Sequence, residues 1–430
     1  MIWLPYELLF LIGFLLYLPR AIWRRRLPHR GWTMRLGRYP RGVTEALAGR
    51  PSIWLHAVSV GEVLAAQPLI RALTEADPAR PLVLSTITPG GFQMASTRFA
   101  PPVVPIYVPL DLTGCATRAL ETIRPRALLL MESELWPNLI RLTHARNIPV
   151  AVVNGRVSPR SFRRSRLITP WLRGMLDRVA LFLMQSQEDA DRLIQLGAPP
   201  GKVHVVGSLK WDASRATHAS AEALREAAMR LGLSPGDPVL VAGSTHRGEE
   251  EPLIRAFLGL RGARQGLRLI IAPRHLERVG EVEHLLQRHG LKTARLSARA
   301  SGQPWEAGLI DTFGHLPVYY GLASVVFIGG SLIPHGGQNP LEAASLGKPI
   351  AFGPSMHNFS AITHQLLAHH AARQLTPGED PTALLHELLA NPAEAQAMGA
   401  RARELTERFQ GATQRTLHAL HPLLFPRTAS

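Results

Sequence analysis

The chain has 430 residues, 46% of them hydrophobic, which fits two globular domains with ample core. A single cysteine, Cys115, excludes an internal disulfide framework and reads as a small core residue. The net charge of +16 points to anionic partners, whereas 6% aromatics and no zinc-finger or RNP-like motif disfavour a nucleic-acid module.

Ile2 to Leu18 is nearly all apolar, broken by Pro5, Glu7 and Gly13, and Arg20, Arg24, Arg25 and Arg26 follow. Seventeen helical residues reach about 26 Å, just short of a hydrocarbon core. With no charged n-region and no A-x-A site, a cleaved signal peptide is not expected. The expectation is an uncleaved membrane anchor with its basic flank over 1–26, and the following residues on the cytoplasmic side. A helix lying in the interface is the alternative, because Glu7 is costly in mid-bilayer. Further arginines up to Arg41 suit anionic headgroups.

From Ile53 the pattern alternates between strand and helix. Strands are expected at Ile53 to Val58, Leu82 to Thr86, Val103 to Val108, Ala127 to Met131, Val150 to Val153, Leu181 to Met184 and Val203 to Val206. After a polar, Ala-rich segment the pattern restarts with Val239 to Ala242, Leu267 to Ala272, Leu309-Ile310, Val325 to Ile328 and Ile350 to Phe352. Continuous apolar strands between helices predict an α/β chain with two parallel sheets, each covered on both faces. The expected domains are 27–215 and 216–430.

Open α/β sheets bind ligands beyond the carboxyl ends of their strands. Polar residues stand there in both halves. Glu62 follows the first strand, where a carboxylate can take a proton from a hydroxyl or merely complement a helix start. Glu132 follows Ala127 to Met131 and needs a cationic partner, with Lys210 and Arg156 as candidates. Lys210 can neutralise a leaving phosphate, and Arg274, after Pro273, can fork onto one. His246 and His275 read as polar loop residues.

The most informative stretch is Ser324 to Gly347. An apolar strand runs into Gly329-Gly330 and Gly336-Gly337, then into Gln338-Asn339-Pro340-Leu341-Glu342. Asn339 is expected to cap a helix with Pro340 at its first position. Free N–H groups in such a loop suit a phosphate, and Glu342 suits ribose hydroxyls. It is neither a P-loop nor a G-x-G-x-x-G turn. Arg156, Arg160, Arg163, Arg164 and Arg166 form a basic run suited to a phosphorylated acceptor. Asp189 and Asp191 form a D-x-D read as surface. No HExxH or Cys cluster supports a metal.

SVGE (59–62), ESELWPN (132–138), NGRVS (154–158), GSLKWD (207–212), GSTHRGEE (243–250), APRH (272–275) and GGSLIPHGGQNPLEAA (329–344) occur in one order. Together they resemble the 3-deoxy-D-manno-octulosonic acid (Kdo) transferases of lipopolysaccharide synthesis, over nearly the whole chain. The resemblance implies a GT-B fold, two Rossmann-like domains facing a cleft. It also implies inverting transfer of Kdo from CMP-Kdo to a lipid A precursor at the cytoplasmic face of a bacterial inner membrane, without a metal or other cofactor. It makes Glu62 the general base and Glu132 and Lys210 transition-state stabilisers. Pro273, Arg274, Gly314, His315, Leu316, Asn339, Pro340, Leu341 and Glu342 become CMP contacts. Trp211 and Pro334-His335 depart from the family pattern. A related enzyme using a UDP-sugar and a membrane-tethered binder of anionic polymers stand as alternatives.

Overall fold

The computed structural model describes residues 3–23, 31–215, 220–234, 236–262, 264–298 and 304–425. The chain divides into a first unit, 1–213 with 410–430, and a second unit, 214–409. The first holds seven strands: β1 (Ser52–His56), β2 (Leu82–Thr86), β3 (Val103–Tyr107), β4 (Pro125–Met131), β5 (Val150–Gly155), β6 (Leu181–Met184) and β7 (Val203–Val205). They lie in the order β3-β2-β1-β4-β5-β6-β7, every pair parallel. The second holds β8 (Val239–Thr245), β9 (Arg268–Pro273), β10 (Thr293–Arg295), β11 (Ala307–Leu309), β12 (Val325–Ile328), β13 (Ile350–Phe352) and β14 (Arg373–Gln374). Their order is β10-β11-β9-β8-β12-β13-β14, again all parallel. The edge strands β10 and β14, only three and two residues long, carry no apolar run and were not foreseen.

Alternate residues of each central strand feed opposite layers. In β4, Leu128 and Leu130 join one cluster with Trp54, Val152 and Phe182, while Leu129 and Met131 join another with Leu55, Val153 and Leu69. A leucine buried this way contributes about 2 kcal/mol, so helices must cover both faces. Cys115 is buried, as expected.

Two expectations change. The C-terminal segment does not end the second unit. Helix Ala412–Leu424 packs on helix Val60–Ala76 of the first, with Leu420 and Leu424 in that core. Asp212 fastens it: Oδ1 accepts from the Gly411 N–H at 2.8 Å and Oδ2 from the Thr413 N–H at 2.6 Å. Arg415 Nε donates to the Val206 carbonyl at 2.8 Å.

The second change concerns the N-terminus. Residues 3–23 form one helix, but among the described residues no helix is long and apolar enough to cross a membrane. Its polar residues are used inside the first unit. Glu7 Oε1 accepts from the Thr113 N–H at 2.6 Å and from Asn138 Nδ2 at 3.0 Å. Tyr6 donates its hydroxyl to Asp111 at 2.8 Å. The carboxylate that made a spanning helix costly serves as a docking contact at the start of helix Thr113–Ile123. Leu8, Leu9, Leu15 and Leu16 remain largely exposed. Of the basic flank, 24–26 lie outside the described residues.

Asp212→Ala removes two bonds to the start of the last helix and is expected to lower stability by about 1–2 kcal/mol. The deficit should concentrate in 410–425, read as faster hydrogen exchange there than in β1 or β4.

Candidate active site

In each sheet the chain winds outward first one way and then the other, so neighbouring strands at the reversal leave a crevice at their carboxyl ends. In the first unit those strands are β1 and β4. After β1 the chain turns at Ser59 into helix Val60–Ala76, which places Glu62 in its first turn. Glu62 Oε2 accepts from the Val58 N–H at 2.9 Å, so part of its role is to cap the turn. Among the described residues, none donates a hydrogen bond to Oε1. Burial raises its pKa to about 7, the Val58 N–H opposing and Glu132 and Glu134 reinforcing. The desolvated position and two neighbouring carboxylates give a base poised near neutrality.

After β4, Glu132 sits in left-handed backbone at φ 54°, a conformation uncommon for a side chain with a Cβ. Its Oε1 meets Lys210 Nζ at 3.1 Å. Lys210 is therefore a partner of Glu132. Burial raises the pKa of Glu134, whose Oε2 accepts from the Trp136 indole at 3.1 Å. Asn154, at the end of β5, is buried and also left-handed, at φ 54°. Its Nδ2 faces Glu132 Oε1 at 3.4 Å, and its Oδ1 accepts from the Leu209 N–H at 3.0 Å. It ties the carboxylate to the turn that carries Lys210. The NGRVS stretch marked this residue without assigning it a role.

Asp189 is a correction. It is buried, and its Oδ1 accepts from the Val157 N–H at 2.8 Å. Only Asp191 of the D-x-D is exposed. Arg160, Arg163, Arg164 and Arg166 are exposed on the segment 159–168.

In the second unit the reversal lies between β8 and β12. The helix after the glycine-rich loop is Leu341–Ser345, beginning one residue later than expected because Pro340 precedes it. Asn339 does cap it, accepting from the Leu341 N–H at 3.1 Å. The glycine N–H groups of the loop are not free, whereas those of Ile333, Asn339 and Glu342 have no acceptor among the described residues. Gly330, Ser331 and Leu332 donate to the carboxylate of Glu249 at 2.6, 2.8 and 2.9 Å. Gly329, Gly337 and Gln338 donate to backbone carbonyls, and Gly336 to the Ser355 hydroxyl. Glu249 also accepts from the His246 N–H at 2.9 Å. This fully buried residue turns the loop inward around itself, which no motif signalled. Gly337, at φ +76°, lies against Met356, where a Cβ would come within 2.2 Å of the sulfur.

Side chains also stand at this end for an anion to meet. Arg274 is exposed just beyond β9, and its charge opposes the burial that raises the pKa of Glu342. His246 is a loop residue, as expected, but a buried one. Its ring lies 3.9 Å from that of His335 and 5.7 Å from that of His275, and its Nε2 meets Gln338 Nε2 at 3.0 Å. Burial, then His335, His275, Arg274 and Arg278, lowers its pKa to about 4. The cluster is electropositive and holds His246 neutral. Gly314, His315 and Leu316 open helix Leu316–Leu322, with Gly314 and His315 exposed; that helix packs against Leu341–Ser345. Pro273, Arg274 and the two helix starts thus share one end of the second unit.

Residues 30–213 match the family model of the 3-deoxy-D-manno-octulosonic-acid transferases. A 3-deoxy-D-manno-octulosonic acid transferase of Bordetella pertussis is 37% identical over 86% of this chain and 87% of its own. One from Haemophilus influenzae is 33% identical over the same shares. Among solved structures, a glycosyltransferase from Rickettsia africae superposes with a TM-score of 0.58 at 11% identity, covering 88% of this chain and 100% of its own. That likeness shows a two-domain, GT-B-like fold.

Glu249→Ala leaves four N–H groups without their acceptor. It is expected to destabilise the protein by about 3 kcal/mol or more and to raise hydrogen exchange at Gly330, Ser331 and Leu332 before the rest of the second sheet. Unchanged protection at those three amides would remove the brace from the account.

Proposed function

Because the chain belongs to the 3-deoxy-D-manno-octulosonic acid transferases, and is thus a glycosyltransferase, we propose that it transfers Kdo from CMP-Kdo to a phosphorylated lipid A precursor with inversion. The observation that carries the chemistry is Glu62: a half-buried carboxylate at the β1 crevice, one oxygen tied to Val58 and the other without a donor among the described residues. The acceptor hydroxyl gives its proton to Glu62 as its oxygen bonds to the anomeric carbon of the donor. The bond from that carbon to the phosphate oxygen breaks, and CMP leaves with the electron pair. Lys210, aligned by Glu132 and Asn154, stabilises the charge that develops. The second unit holds CMP through Pro273-Arg274, Gly314-His315-Leu316 and Asn339 to Glu342. With Lys210 and Arg274 supplying positive charge, no metal is required.

The exposed arginines at 160–166 suit the phosphates of the acceptor. The N-terminal helix, its Glu7 docked and its leucines exposed, would lie in the surface of an anionic inner membrane on the cytoplasmic side.

The test is turnover of CMP-Kdo with a tetra-acylated, bis-phosphorylated acceptor, with and without EDTA. The acceptor is expected to gain Kdo mass in both. Calorimetry should show CMP bound in preference to UDP, with little dependence on salt. A preference for UDP would favour a UDP-sugar enzyme, and steeply salt-sensitive binding without turnover would favour a polymer binder.

A pH profile follows from Glu62. The base works ionised, so kcat/KM should fall about tenfold per pH unit below a midpoint near 7. A midpoint near 4 would mean that burial does not raise this carboxylate's pKa, and a profile with no acid limb would mean the rate does not depend on it.

A further inference from the structure

The first unit contains a cavity of about 200 Å³ that none of the steps above uses. Its inner wall is apolar and buried: Leu172, Met175, Phe182, Met184 and Leu193. Its other end is polar and open, lined by Ser133 and Ser161, both exposed, and by Glu132, the partner of Lys210. Interiors are close-packed, and apolar hollows of roughly this size stay dry and take up small hydrocarbons. Here such a hollow opens beside the candidate reacting pair.

We propose that this cavity receives the end of one acyl chain of the acceptor, which sets the enzyme's preference for acyl-chain length; the inference rests on the lipid-acceptor reading above. Three surface features select an alkyl chain as the occupant. Leu167 and Ile168 are 86% and 48% exposed, and they stand just before Trp171, which lines the cavity. The Trp171 ring lies 6.2 Å from that of Tyr6, so the wall continues onto the N-terminal helix with its exposed leucines. The exposed Arg160, Arg163 and Arg164 on the segment that carries Ser161 suit the phosphates that accompany acyl chains on one molecule. A chain buried at Leu193 and a headgroup held at these arginines would bring the acceptor's sugar to the Glu132 end.

The experiment uses the full-length protein and a series of bis-phosphorylated disaccharide acceptors that differ only in acyl length. In the native enzyme, the acceptor KM is expected to fall at least tenfold from the shortest to the longest chain. Met175→Trp fills the cavity. It should flatten that dependence and raise the KM for the longest chain about tenfold, leaving kcat and CMP affinity within twofold. Leu193→Phe is the second variant should Met175→Trp not fold. A third readout needs no filled variant: an acceptor brominated at the chain end should quench the Trp171 fluorescence, taken as native minus Trp171→Phe, more than one brominated near the headgroup. A filled variant with the native length dependence, or equal quenching from both bromine positions, overturns the inference alone. No turnover by the native enzyme at any chain length overturns the lipid-acceptor reading and the inference with it.

Discussion

Among the described residues all fourteen strands run parallel within their sheets, and much of the rest follows from that constraint. A parallel sheet gathers every strand's carboxyl end on one edge and needs a helix after nearly every strand. Polar residues inside strands buried on both faces are costly unless hydrogen-bonded, as His56 and Ser85 are to each other, so the charged ones collect where strands end. Glu62, Glu132, Asn154, Lys210, Glu249 and Arg274 all occupy such positions. The reversals of winding, at β1/β4 and β8/β12, then decide which strand ends leave room for a ligand.

Strand ends are also where the backbone is strained. Glu132, Asn154 and Ser244 all hold left-handed conformations at φ 54° to 57°. Such residues persist where surrounding bonds over-determine them. For Glu132 these are the contacts to Lys210 and Asn154; for Asn154, the Leu209 N–H. In the second unit the corresponding device is Glu249. A carboxylate with four N–H donors makes a loop of glycines into a fixed shape, with the positive charge of Arg274 and the imidazoles of His246, His275 and His335 around it. The glycines serve close packing of neighbouring loops more than approach by a ligand.

The periodic parts of the fold were legible in the sequence, because an apolar run of four to six residues between helices has few other uses in a soluble α/β chain. Glu62, Glu132 and Lys210 were legible as strand-end polar residues, and the structure brings Glu132 and Lys210 into contact. The misses share a cause: each depends on a partner distant in sequence. Glu249 has no role assigned from sequence until β12 brings Gly330 to Leu332 onto it. Glu7 reads as a membrane liability until Thr113 and Asn138 meet it. Asp189 reads as surface until Val157 does. The return of 410–425 to the first unit depends on Asp212, two hundred residues upstream, and no local pattern encodes it.

The account's central claim is that Glu62 takes the proton. Glu62→Gln tests it most directly, because the amide oxygen can still accept from the Val58 N–H and the helix start is kept. The account predicts turnover reduced by about 10³-fold, with CMP affinity and melting temperature unchanged. Turnover within a few-fold of the native protein would contradict it and assign the proton to another group.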